Sequence, residues 1–227
     1  MRSKVLLVCA LSFCTALTCG AAHADGVIAV VNPSFESHGS LVGCGVGCAY
    51  NLGPIPGWTV TGIGGSFDPS SSQLTLPSQN GSFVAFSNGG TISQDLGVGL
   101  QTNSTYTLSV EIGRRTDASG APGTMYSLAL DDGSAALCST PLTSNGSISA
   151  GGIVDVILTC TTGFAVAPGD LTIVLTSNGN QIDFDNVSLS VATPEPSAVL
   201  LMVVGLGFVT LLWKYSGRKD ALQKGAC

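Results

Sequence analysis

Thr105-Tyr106-Thr107-Leu108-Ser109-Val110-Glu111-Ile112 alternates polar and apolar side chains without a break. A period of two puts Tyr106, Leu108, Val110 and Ile112 on one face of an extended chain and Thr105, Thr107, Ser109 and Glu111 on the other. The stretch therefore reads as a strand with one buried face, placed centrally in a sheet. Leu171, Ile173 and Leu175 repeat the pattern, and 125–130 and 152–158 follow it less cleanly. Further strands are expected at 26–31, 58–62, 73–76, 82–87, 91–96 and 181–191, separated by Gly, Pro, Asn, Asp and Ser. No stretch between Val27 and Val191 keeps a helical period. About ten strands at this spacing predict an all-β domain, a two-sheet jelly-roll sandwich. In the last strand Ile182 and Phe184 share one parity and Val187, Leu189 and Val191 the other. That asks for a bulge near Asp185 or Asn186, or for burial on both faces. The Gly-rich stretch 38–56 is expected to be the longest irregular loop.

The two ends carry addressing signals. Arg2 and Lys4 precede an apolar run over 5–17, and Ala22-His23-Ala24 offers the small residues that a signal peptidase reads. Residues 1–24 are thus expected to be a signal peptide, since the run is shorter than the roughly 20 residues of a membrane span. Residues 25–192 are expected to form one exported domain around one core. At the other end Pro194-Glu195-Pro196 is followed by an apolar run over 197–213 and a basic tail over 214–227 that includes Lys214, Arg218 and Lys219. This predicts a single transmembrane helix with its basic end in the cytoplasm.

Charge excludes one class of partner. The chain has a net charge of −6, and between Asp25 and Trp213 its only Lys or Arg residues are Arg114 and Arg115. Such a surface repels nucleic acid, which needs clustered cations. Cys44, Cys48, Cys138 and Cys160 fall in the exported domain, where an oxidising compartment favours disulfides. Of the three connectivities, Cys44 with Cys48 and Cys138 with Cys160 is preferred because each is then a local pair, and Gly45 and Gly47 let the first ring close. The 138–160 spacing lacks the paired-ligand knuckle of a zinc site.

The order Pro-Glu-Pro motif, apolar helix, basic tail over 193–219 resembles the PEP-CTERM sorting signal. That resemblance implies an exosortase-type processing protease as partner, cutting near Pro194, Glu195 and Pro196, and transfer from an inner-membrane anchor to the cell surface or matrix. The tail from Asp220 to Cys227 is longer than usual for such signals. Separately, Asn32-Pro33-Ser34-Phe35-Glu36, Ile55-Pro56-Gly57-Trp58 and Ile182-Asp183-Phe184-Asp185-Asn186-Val187-Ser188-Leu189 resemble the first and last strands of galactose-binding-like jelly rolls, the fold of many carbohydrate-binding modules. This resemblance implies a structural calcium ion held by Glu36 and Asp185, with Asp183 in reserve. Calcium takes six to eight oxygen ligands, which convergent chain ends can supply.

Chemistry is written more faintly. Sugar binding favours exposed aromatic rings; Trp58 reads as core, and Tyr50, in the cysteine loop, is the candidate ligand-binding ring. His38 is the only histidine of the exported domain, which holds no lysine, so an activated serine is not expected. Asp131-Asp132-Gly133 reads as a turn, and Arg114-Arg115 as a solvated strand end balanced by Glu111 and Asp117. The expectation at this stage is a non-catalytic surface or matrix protein associated with exopolysaccharide. The alternatives are a structural or adhesive protein-binding coat protein, and a glycan-active enzyme.

Overall fold

The computed structural model describes residues 23–77, 81–133, 135–166, 168–194 and 205–210. The strands are β1 (His23–Ile28), β2 (Val42–Gly45), β3 (Cys48–Leu52), β4 (Thr59–Asp68), β5 (Val84–Gly99), β6 (Thr105–Gly113), β7 (Met125–Asp131), β8 (Ala136–Ser139), β9 (Thr143–Ser144), β10 (Ile153–Thr161), β11 (Asp170–Asn178) and β12 (Ile182–Pro194). Asp25–Thr193 forms one compact unit. The expected transmembrane helix over 197–213 and the sorting residues Glu195, Pro196, Arg218 and Lys219 lie outside the described residues, apart from a helical stretch at 205–210. The signal peptide does too, save its last two residues. Among the described residues no helix is long and apolar enough to cross a membrane.

Every strand joins one antiparallel hydrogen-bonded system, and β5 turns it into a sandwich. The first part of β5 pairs Ala85, Phe86 and Ser87 with Phe184, Asp183 and Ile182 of β12, whereas from Gly90 onward it pairs with β11. The change of partner falls at Asn88-Gly89-Gly90, where both glycines have positive φ. A side chain at Gly90 would collide with the Thr61 carbonyl, so the bend requires glycine there. β4 bends in step, with a register shift between Gly62 and Gly64. One layer therefore runs β10-β6-β12, the start of β5, the end of β4, β3 and β2. The other runs the start of β4, the end of β5, β11, β7 and β8. The all-β jelly-roll sandwich expected from the sequence is the fold.

The main core lies between the layers. Tyr106, Leu108, Val110 and Ile112 of β6 face Leu128 and Leu130 of β7 and Leu171, Ile173 and Leu175 of β11, all buried. Trp58 joins this core, as expected, with its indole N–H donated to the Val31 carbonyl at 3.0 Å. A second, smaller cluster of Cys48, Phe67, Leu74, Val84 and Phe86 covers the other face of the first layer. Among the described residues, Cys44–Cys48 and Cys138–Cys160 are disulfide-bonded. The first closes the β2–β3 hairpin, and the second ties β8 at the rim of one layer to β10 at the rim of the other.

Two expectations are corrected. The stretch 38–56 is not an irregular loop, because it contains β2 and β3, paired in register from Val42 and Tyr50. Residues 73–76 form no strand; Leu74 there plugs the smaller cluster instead.

Candidate active site

Burial of the first layer on both faces gives the start of β12 an unusual run, in which Ile182, Phe184 and also Asp183 and Asp185 are buried, with Gln181 buried just before the strand. Ile182 and Phe184 point into the main core. Asp183 has the opposite parity and belongs to the side of the smaller cluster, flanked in register by Phe86 of β5 and Gly113 of β6. A Cβ at Gly113 would lie 3.1 Å from the Asp183 Cβ, so glycine is what makes room for the acid.

The Asp183 partners Phe86 and Gln181 line a cavity of about 310 Å³, together with the rings of Tyr50 and Phe67, Arg115, and Cys44 of the hairpin disulfide; Asp183 itself is buried behind this lining. Gln181 Nε2 donates to Asp183 Oδ1 at 2.6 Å, while the buried Oδ2 has no hydrogen-bond partner. Burial pushes the Asp183 carboxyl up to about 7, against the opposing pull of the Gln181 hydrogen bond and of the Arg115 charge. A carboxyl with a value near 7 is divided between its protonated and ionised forms at neutral pH and can give up or take back a proton there, the property a general acid needs. Arg115 is not a solvated strand end. Its guanidinium carbon lies 4.4 Å from the centre of the Phe67 ring, and it pairs with Asp117. A larger depression of about 640 Å³, lined by Leu52, Pro54, Trp58, Val60 and Ile63 among others, carries no ionisable group and offers no comparable chemistry.

Of the residues singled out in the sequence, Tyr50 and Cys44 line this cavity, and Asp183 is joined to it through the hydrogen bond from Gln181. Glu36 and Asp185 are placed elsewhere, at the bulge that shifts the register between Asp185 and Ser188. Asn186 sits there with φ 48°, and its N–H donates to Asp185 Oδ1 at 2.7 Å. Asp185 Oδ2 is buried and without a partner. Burial first, then the Glu111 and Glu36 charges, push this carboxyl up to about 8 despite the Asn186 hydrogen bond. Glu36 Oε1 accepts the Ser82 and Phe83 N–H groups, each at 2.9 Å. Among the described residues no three metal-ligating side chains converge into a ready-made cage. Phe67, Phe86, Arg115 and Gln181 were not anticipated from the sequence. The two Phe residues lie where both faces are buried and alternation vanishes.

A family model described as HpiC1-like, HpiC1 cyclase, matches residues 26–190. The chain belongs to the HpiC1-like cyclase family. Among solved structures it resembles a Stig cyclase, Fisc, from Fischerella sp. TAU in complex with (3Z)-3-(1-methyl-2-pyrrolidinylidene)-3H-indole, with a TM-score of 0.62 and 22% identity over 76% of this chain and 100% of that one. An apo-form cyclase from Fischerella sp. gives a TM-score of 0.60 at 22% identity, over 76% of this chain and 98% of that one. A Fischerella sp. TAU cyclase in complex with 4-(1H-indol-3-yl)butan-2-one gives 0.58 at 21% identity, over 75% and 99%. No curated protein matches the chain. At such identities the structural likeness speaks for the fold. Membership of the HpiC1-like cyclase family overturns the expectation of a non-catalytic surface protein: this is an enzyme fold with a cavity and a buried acid, and the absence of a serine or lysine nucleophile was no argument against proton-driven chemistry.

Proposed function

We propose that this protein is a cyclase that closes a ring by proton transfer, with Asp183 as the acid. The observation that carries the reading is the buried Asp183 carboxyl, one oxygen unpartnered and the other held by Gln181 of the aromatic cavity wall, in a chain of the HpiC1-like cyclase family. The substrate class follows from the relatives, whose bound molecules carry an indole ring; a flat aromatic system suits a cavity walled by Tyr50, Phe67 and Phe86. The Asp183 proton adds to an unsaturated carbon of the side chain, leaving a cation beside the ring faces, which stabilise positive charge. The π-system of the substrate attacks that cation and closes the ring. A proton then returns from the new ring to the Asp183 carboxylate, so the product is an isomer of the substrate. The Arg115 charge is offset by Asp117 and does not oppose the cation in full.

The test is incubation of the purified protein with a panel of 3-substituted indoles bearing unsaturated side chains, in light and heavy water. Ring-closed isomers that gain one deuterium in heavy water, and that vanish with Asp183→Asn, support the reading. A panel without turnover, or turnover unchanged by Asp183→Asn, overturns it.

A calcium ion at the bulge is the second part of the proposal. The donor set fits a hard cation: a buried, unpartnered Asp185 oxygen with the Glu36 and Glu111 carboxylates close enough to raise its pKa. Glu36 and Asp185 would hold the ion, which would neutralise this cluster and pin the first strand region to the last. Asp183 is left to the cavity. We further propose that the chain is exported with loss of residues 1–24 and is processed near the Pro-Glu-Pro motif by an exosortase-type protease, on the strength of the sequence signals alone.

A further inference from the structure

We propose that Arg115 is a positioning residue for Asp183, acting through Gln181; this rests on Asp183 being the acid. Gln181 is buried, and both its ends are held. Its backbone N–H donates to the Ser119 carbonyl at 3.1 Å, and its side-chain Oε1 accepts Arg115 Nη1 at 2.9 Å. Arg115 is itself fixed. Its ring-stacked guanidinium pairs with Asp117, and Asp117 in turn accepts the Ser119 N–H at 3.2 Å and Gln73 Nε2 at 3.3 Å.

The consequence is the orientation of one amide. Guanidinium only donates, so the group facing it must be the Gln181 oxygen, and the amide nitrogen is thereby turned toward Asp183. Oδ1 of Asp183 then accepts at 2.6 Å, which fixes the plane of the carboxyl and leaves the buried Oδ2 as its oxygen without a hydrogen-bond partner. After transfer the same N–H steadies the carboxylate. Without Arg115 the amide is free to turn over. Its oxygen would then face Asp183, accept the acid proton and hold it back from the substrate.

The experiment uses the full chain, ¹⁵N-labelled at glutamine. The Gln181 side-chain NH₂ signals, assigned by their loss in Gln181→Met, are expected to show one proton shifted downfield and slow to exchange with solvent. In Arg115→Met this signature is expected to collapse toward that of a free amide. With a substrate from the indole panel, kcat is expected to fall by about tenfold or more, within the range that acid catalysis contributes, while KM changes little. Arg115→Lys, which has no fork, restores little. In the Gln181→Met background, Arg115→Met adds almost no further loss, because its effect travels through Gln181. If Arg115→Met does not fold, Asp117→Asn loosens the same fork and is read in the same way. An unchanged Gln181 signature in the folded variant, or a full additional loss in the double variant, overturns the proposal. Full activity in Asp183→Asn would instead remove the acid, leaving the amide signature to decide the orientation separately.

Discussion

Asp185 of β12 stands directly opposite Glu111 of β6, and Glu111 in turn opposes Asp155 of β10. Like charges facing across strands destabilise a sheet, and here one of them is buried. The calcium ion proposed at Asp185 and Glu36 would relieve this. At a concentration of one hundred times its dissociation constant, the ion adds about 2.7 kcal/mol to native stability. Chelation should therefore lower the melting temperature by several degrees, at about 2–4 °C per kcal/mol for a chain of this size. Asp185→Asn should reverse the order, melting higher than the wild type under chelator and ignoring added calcium. Wild-type melting that ignores both chelator and calcium would remove the ion.

The two disulfides should differ in what they do. Cys138–Cys160 closes a long loop, 22 residues apart in sequence, between rims of opposite layers, and its loss should cost about 3 kcal/mol. Cys44–Cys48 closes a short ring of separation 4, which constrains the unfolded chain less. Its loss should lower the melting temperature less than loss of the other bridge, costing on the order of 2 kcal/mol against about 3, and should in addition weaken binding of 4-(1H-indol-3-yl)butan-2-one, because Cys44 and Tyr50 share the cavity wall. Calorimetry of the Cys138→Ala/Cys160→Ala and Cys44→Ala/Cys48→Ala proteins separates the two effects. Non-reducing peptide maps with four free thiols would reject both bridges.

Processing is read in the mass of envelope material. The mature protein should begin at Asp25 and lack the segment beyond the Pro-Glu-Pro motif. Copies that mostly retain Lys219 would leave a plain anchor in place of a sorting signal.

Strands were legible whether one face or both are buried, since the expected strands 82–87 and 181–191 fall on β5 and β12, but the extent of β5 and the contacts of its second dry face were not. Tyr106 to Ile112 of β6 keep strict alternation because the far side of the strand is only half covered. Val84 to Ser87 of β5 are buried on both faces, so no alternation marks them, and the glycines that follow read as a turn between two strands rather than as a bend within one. The parity change in β12 did disclose its bulge. At the site, Asp183 could be seen as an acidic residue of the closing strand, but its role turned on Phe86, Gly113 and Gln181 around it. Arg115 was mistaken for a solvated charge because Phe67, the ring it covers, is remote in sequence. Only pairing of β4 with β5, and of β6 with β12, brings these groups to one cavity.

The Asp183 carboxyl makes stability depend on pH with a definite sign. Its ordinary value is 3.8, and burial lifts it to about 7 in the folded protein. Between those values the native state holds a proton that the unfolded chain has released. Stability should therefore fall as pH rises from about 4 to about 7, and the whole loss is present above that range. Its size is on the order of 1–4 kcal/mol, since one pKa unit corresponds to about 1.4 kcal/mol. Asp183→Asn carries no such charge, so its stability should stay flatter across this window and exceed that of the wild type at pH 8. Turnover should decline over the upper part of the same window, with a midpoint near pH 7, as the acid loses its proton. Placing the Asp185→Asn substitution in both proteins takes the second buried carboxyl out of the comparison. Denaturant titrations of both proteins from pH 5 to pH 8 measure the difference, and parallel stability curves would mean that Asp183 does not carry the buried proton.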